Sequence, residues 1–398
     1  MIIYIPIEIF NREIAAKVQF ATFLAERGHV VVVAKDSVLN HYCSSPNSPN
    51  GIFVDKSASF FFANKFKSFD NRHKIFIHDE EGPQLNTNIP FFNRLHEDSI
   101  PLVSGVFCWG NHDSEAYQEL RGLPSKKAIV TGSMRFEKPK IRKKIYAEKV
   151  KSIKKIFNEF ILYNSNTCAS IDLKRGLEIA IRNQTVRTEQ QISDLKKNLI
   201  KAEKQICMEQ IIVNALAKDN QDKKIIYRKH PSSSEVVLST IPDNVQIISG
   251  DSVDPWILAA TDTVAYDCTT LLQAESLGCS WKNIGSLNSD SAIRSKLIRN
   301  LCDENFRDVS TYISNFYGEK FHESALEAFE CLGFVSDDDE FGKYKEQLSE
   351  LVGSPFLNNL KFSITNLTNF VSVAEDAVRD TRVHLERYGR ALVFARLN

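Results

Sequence analysis

The sequence predicts an α/β chain with two Rossmann-like domains, and three observations lead there. Short apolar runs alternate with longer segments of helical periodicity along most of the chain. An apolar run, a helical pattern, a glycine and a second apolar run fill residues 1–34, which is the pattern of a βαβ unit. A basic helical stretch at 137–159 then separates this series from a second one. At about 100–200 residues per domain, 398 residues leave room for both bodies.

Residues 1–7 (MIIYIPI) read as the first strand. A helix follows over 11–27, with Ile14, Val18, Phe20, Phe23 and Leu24 on its apolar positions and Gly28 past its end. Further strands are expected at 29–34, 74–78, 103–109 and 128–131. The second series starts with FILY at 160–163, continues through a long polar helix within 184–220, and adds strands at 224–227, 245–248 and 263–266. Residues 337–398 read as helical. The expected domains are therefore 1–150, 151–335 and a helical C-terminal segment, 336–398, packing across both.

Composition narrows the function. The 50 basic residues equal the 50 acidic ones, so net charge offers nucleic acid no overall attraction, and no nucleic-acid partner is expected. Eight scattered cysteines form no CxxC pair, which argues against a zinc or redox centre and fits reduced thiols in a cytoplasmic protein. The N-terminal run is broken by Pro6 and Glu8 and lacks a basic leader, and no stretch approaches the ~20 apolar residues of a membrane span. Walker A, GxSxG and GxGxxG patterns are absent, which disfavours P-loop hydrolysis, acyl-serine chemistry and NAD binding.

In parallel sheets, ligands sit beyond the carboxyl ends of the strands. Four polar clusters stand at such ends. His78-Asp79-Glu80-Glu81 follows one strand, and three neighbouring carboxylates raise one another's proton affinity, which suits a nucleophile beside a general acid or base. A helix cap is the alternative use. Trp109-Gly110-Asn111-His112-Asp113 follows another strand; His112 can carry protons near neutrality, and Asn111 or Asp113 can cap the next helix. In the second half, Arg228-Lys229-His230-Pro231-Ser232-Ser233 gathers cations and hydroxyls suited to an anion. Asp267-Cys268-Thr269-Thr270 brings hydroxyls to a helix start, with Gln273 one turn on. Two phosphate-suited strand ends against one acidic end point to a nucleotide-activated donor.

Eight blocks in this order resemble the bacterial surface carbohydrate biosynthesis proteins: NRE at 11–13, DKS at 55–57, DEEG at 79–82, FCWG at 107–110, TGSMRF at 131–136, YNSNT at 163–167, RKHPS at 228–232 and CTTLLQA at 268–274. That family is similar to GT-B glycosyltransferases, two Rossmann-like domains with a cleft between them, and to the retaining β-Kdo transferases of capsule and O-antigen assembly. The resemblance implies that His230, Ser232, Thr269 and Thr270 hold the phosphate and ribose of CMP. Arg12, Asn164, Asn166, Arg228, Lys229, Pro231, Ser233 and Gln273 complete the implied binding set. It further implies Asp79 as nucleophile, with Glu80, Glu81 and His112 beside it. Glu13 becomes the acid/base, with Glu8 as the alternative. Gln273 stands where the family pattern expects Glu, and Leu271-Leu272 where it expects a small residue, which leaves base and sugar of the donor open.

The expected activity is transfer of Kdo, or a similar acidic sugar, from its CMP form to a surface polysaccharide or lipopolysaccharide acceptor, without a metal or other cofactor. Alternatives are a CDP-glycerol-type glycerophosphotransferase, a sugar-nucleotide epimerase on the same fold, and a non-catalytic nucleotide-sugar-binding subunit. A glycan or lipid-linked glycan acceptor suggests peripheral contact with the inner face of the inner membrane. The basic stretch at 138–155, or an apolar face of Leu385, Tyr388, Leu392, Val393 and Phe394 on a final helix, would make it.

Overall fold

A computed structural model describes residues 1–80, 95–166, 173–182, 186, 188–230, 238–250, 252–266, 268–284, 321–332, 364–388 and 391–396. The chain divides into two compact units, 1–141 with 316–398, and 142–315. Each described sheet is predominantly or wholly parallel, so the expected α/β class with two Rossmann-like bodies is the one observed.

The first unit begins β1 (Ile2–Ile7), α1 (Phe10–Glu26), β2 (Val30–Lys35), α2 (Asp36–Ser44), β3 (Gly51–Asp55), α3 (Phe60–Ser68) and β4 (His73–His78). It continues through β5 (Gly105–Cys108), α4 (Asn111–Arg121) and β6 (Ala128–Val130). Every residue of β1 is buried: Ile3, Ile5 and Ile7 face the α1 layer while Ile2 and Tyr4 face the opposite one. Gly28, with φ of +84°, takes the left-handed conformation that lets α1 end and β2 start within a few residues. Gly51 opens β3, where a Cβ would come within 2.5 Å of the Ile2 carbonyl oxygen, so only glycine permits β3 to enter beside β1.

The chain enters the second unit within α5 (Pro139–Ile145) and continues through α6 (Ala147–Phe157), β7 (Phe160–Asn164), α7 (Leu173–Arg182), α8 (Glu189–Asp219), β8 (Lys224–Arg228) and β9 (Val245–Ile248). Next come α9 (Asp254–Ala259), β10 (Asp262–Ala265), α10 (Thr270–Ser276) and β11 (Trp281–Asn283). Thr188 and Gln191 form a reciprocal capping box that starts α8. The strand order is β11-β10-β7-β8-β9, with all pairs parallel. Chain order therefore reverses at β7, and the topological switch lies between β7 and β10.

The chain returns to the first unit with α11 (Phe321–Glu330), α12 (Ile364–Val378), β12 (Val383–Tyr388) and β13 (Ala391–Arg396). This corrects one expectation: the last apolar stretch of the C-terminal segment is not a helix. β12 and β13 form a hairpin, and β13 lies antiparallel against β2, giving the order β12-β13-β2-β1-β3-β4-β5-β6. The physical reason is that Ala391 to Ala395 are all buried, with Leu392 and Phe394 entering the α1-side core and Ala391 and Val393 the other. A residue run buried on two opposite faces suits a strand inside a sheet rather than an amphipathic helix. Among the described residues, no helix is long and apolar enough to cross a membrane.

Candidate functional site

Two strand-edge sites emerge, one per unit. In the first unit the switch in strand order falls between β1 and β3. Glu8, just past β1, is half-exposed and ion-paired with Lys56, just past β3. Glu13 lies one turn into α1 and is wholly committed. Its Oε1 accepts the Ile9 N–H at 2.9 Å, and its Oε2 accepts the Glu8 N–H at 2.9 Å and the Lys17 ammonium at 2.7 Å. The Arg12 guanidinium stands 3.6 Å from Oε1. Burial works against the Glu13 charge, but Lys17 and the two N–H groups outweigh it and hold the carboxyl below its usual range.

Lys17 joins three elements. Its Nζ lies 2.5 Å from the Pro6 carbonyl oxygen at the end of β1, 2.7 Å from Glu13 and 2.7 Å from Glu80 Oε1 beyond β4. Burial would strip its proton, yet the two carboxylates raise its affinity for it. Glu80 is raised as well, to about 7, by burial and then by the Glu13 charge. Its Oε2 is buried without a hydrogen-bond partner.

Asp79 sits on a different support. Its carbonyl oxygen accepts the Trp109 indole N–H at 2.6 Å, and the Arg135 guanidinium holds the Glu80 carbonyl at 2.9 Å, so the turn after β4 is fixed through its backbone. Asp113, in the first turn of α4, accepts the Trp109 backbone N–H at 3.2 Å; the N-cap itself is Gly110, so neither Asn111 nor Asp113 caps this helix as expected. Burial and then the Asp79 charge lift Asp113 to about 7. His78 is buried against Phe321 and stacked on Trp109; burial, then the charges of Lys17 and Arg135, depress it to about 3, so it is a neutral imidazole. Glu81 and the His112 side chain lie outside the described parts of the chain.

In the second unit the carboxyl edge is centred on Asn164, the last residue of β7. It is in register with Arg228 of β8 on one side and Ala265 of β10 on the other, at the switch point. Asn164 is buried, and neither its amide oxygen nor its amide nitrogen has a hydrogen-bond partner. An empty donor and acceptor at this depth are costly, at roughly 1–3 kcal/mol. Arg228 reaches the Gly250 carbonyl at 3.3 Å, with Lys229 and His230 half-buried beyond it. Asn166 is exposed, and Thr269 and Thr270 are half-buried across the edge, the Thr270 hydroxyl having no partner. Pro231, Ser232, Ser233 and Asp267 lie outside the described residues.

Gln273 is engaged inside the second unit. It is buried, and its Nε2 donates to Asp254 Oδ1 at 3.0 Å. Asp254 in turn holds Arg142 through bonds of 2.9 and 2.7 Å. Beneath the same edge, Tyr227 and Tyr163 stack at 5.6 Å, and the Tyr227 hydroxyl donates to the buried Glu209 carboxylate at 3.3 Å.

Sequence reasoning missed Lys17 as a bridge and Arg135 as a support. Glu13 and Lys17 at i and i+4 were the one legible signal. Among the described residues, no group of three or more His, Cys, Asp or Glu could hold a metal ion.

No protein-family model and no curated protein matches the chain. Solved structures do resemble it in shape. The UDP-GlcNAc 2-epimerase from Neisseria meningitidis, bound to UDP-GlcNAc, has 12% identity over 87% of this chain and 94% of its own, with a TM-score of 0.43. The wall teichoic acid polymerase TagF gives 11% identity over 87% and 90%, at 0.48. S. aureus MnaA with UDP gives 12% over 84% and 98%, at 0.46.

Proposed function

We propose that the chain is a glycosyltransferase that moves Kdo, or a similar acidic sugar, from its CMP form to a surface-glycan acceptor with retention. One observation carries the reading: Asp79 follows β4 on a turn whose backbone Trp109 and Arg135 fix, next in sequence to Glu80 and close enough to Asp113 for its charge to raise that carboxyl. A carboxylate nucleophile with proton-holding neighbours is what a double displacement needs.

In this reading the second unit holds the nucleotide and the first supplies the reacting carboxylate. Asn164 and Thr270 offer unused hydrogen-bonding groups, Arg228 and Lys229 offer positive charge to the phosphate, and His230 offers a ring nitrogen. Asp79 forms a bond to the anomeric carbon as the bond to CMP breaks, and CMP leaves with the electron pair and needs no proton. The acceptor hydroxyl then gives up its proton and attacks the same carbon, returning the electron pair to Asp79. Two inversions give retention. Cations of the protein neutralise the phosphate in place of a divalent metal, so EDTA is expected to leave the rate unchanged. Loss of activity in EDTA that magnesium or manganese restores would contradict this.

Incubation with CMP-Kdo, CDP-glycerol and UDP-GlcNAc in parallel tests the reading, with nucleotide release and intact mass as readouts. CMP release with one sugar mass on the peptide bearing Asp79 is expected. Phosphoglycerol transfer, or epimerised UDP-sugar without adduct, would replace the reading with a glycerophosphotransferase or an epimerase.

A further inference from the structure

We propose that Glu80, rather than Glu13, is the proton-transfer residue of the first unit, and that Lys17 is the positioning residue that holds it. This rests on the double displacement proposed above and names the group that completes its second step.

The geometry separates the two candidates. Both Glu13 oxygens are spent, one on the Ile9 N–H and the other on the Glu8 N–H and Lys17. A proton placed on either would break the cap of α1. Glu80 uses one oxygen, Oε1, on Lys17 and leaves Oε2 buried with no partner, on the residue next to Asp79. An unsatisfied carboxylate oxygen at this depth is costly unless it has a proton to receive.

The charges support the same assignment. Glu80 is faced by Glu13, Lys17 and Arg12 from α1, and Arg135 holds its backbone carbonyl. Two carboxylates share one lysine, so the fully ionised trio carries one net negative charge. The committed Glu13 keeps its charge, and the surplus proton of the trio belongs to Glu80. In the second step the acceptor O–H proton passes to Glu80 Oε2. The acceptor oxygen bonds the anomeric carbon, and the bond from that carbon to Asp79 breaks with its electrons returning to Asp79.

A base must be ionised to act, so release of the sugar from the enzyme should rise with pH through about 7 and level off above. Glu80→Gln removes that limb but leaves the first step, which moves no proton. It should therefore slow release by about 100-fold or more and let the adduct on Asp79 accumulate. Lys17→Met withdraws the cation and should move the limb to higher pH, which a merely structural lysine would not do. Glu13→Gln should lower Tm through the lost cap yet keep the limb. The rate and pH profile of adduct decay, with Tm for each variant, read all three. Decay that is unchanged in Glu80→Gln, or a limb that survives there and vanishes in Glu13→Gln, overturns the proposal alone. If wild-type enzyme neither cleaves CMP-Kdo nor gains the sugar mass, the functional reading falls and takes this proposal with it.

Discussion

Asp79 and Asn164 occupy equivalent places in the two units, each at or just beyond the carboxyl end of a strand, and their substitutions should fail in opposite ways. Asp79→Asn keeps the shape, preserves the carbonyl that accepts the Trp109 indole N–H, and removes a charge that crowds Asp113. Tm should hold or rise, CMP affinity should persist, and turnover should vanish. Activity near wild type would reduce Asp79 to a structural residue. Asn164→Ala deletes two buried polar atoms that bond nothing, so stability should not fall. Nucleotide affinity should drop about tenfold, the worth of one hydrogen bond and a little more. Calorimetry with CMP and a thermal melt check both halves; unchanged affinity would remove Asn164 from the site. The carboxylates and the threonines were legible in the sequence because they follow apolar runs. The emptiness of Asn164 and the exhaustion of Glu13 were not, since both depend on which neighbours the fold delivers.

At the scale of elements, most strands could be read because parallel strands buried on both faces are continuous apolar runs, as in VVVV of β2. β3 was missed: its five residues follow a stretch rich in Ser, Pro and Asn, and only three of them are apolar side chains. The terminal hairpin was misread because Leu385, Tyr388, Leu392 and Val393 also satisfy helical spacing, while Gly389 between the two halves was the turn signal against it. The hairpin has a mechanical role. β13 covers the edge of β2, whose four successive valines would otherwise present unpaired backbone to other chains. Ending the chain near residue 375 should therefore give aggregation rather than release from membranes. Phe394→Ala, at a fully buried position, should cost about 3–5 kcal/mol while leaving the protein soluble. A truncated chain that stays monomeric in gel filtration would show that β2 needs no cover.

At the scale of the whole molecule, ionisable burial among the described residues is unevenly divided, and this sets how acid should act. His29 and His73, each depressed to about 4, His78 at about 3, and His322, well below 6.5, all belong to the first unit. Burial is the main cause for each. A histidine held neutral contributes stability that is present above 6.5 and lost as pH falls toward its folded value. Glu80, Asp113 and Glu137, each raised to about 7, act oppositely: their folded forms bind protons more tightly, so acidification from pH 7 toward 4 favours the fold. The two sets offset each other between about pH 4.5 and 6.5. Below 4 these three carboxylates are protonated in both states and His29 and His73 have passed their folded values, while His78 and His322 continue to titrate. Stability of the first unit should therefore stay level through mild acid and fall steeply below about pH 4. Limited proteolysis across pH 3–7 should show first-unit peptides released before second-unit ones. His29→Leu sharpens the test, because both ring nitrogens of this buried residue lack partners and nothing is forfeited at pH 7. The variant should hold its first unit to lower pH than wild type. If its acid midpoint does not move, the buried imidazoles do not govern acid unfolding, and the decisive groups must be ion-paired carboxylates such as Glu13, which lose their charge over the same range.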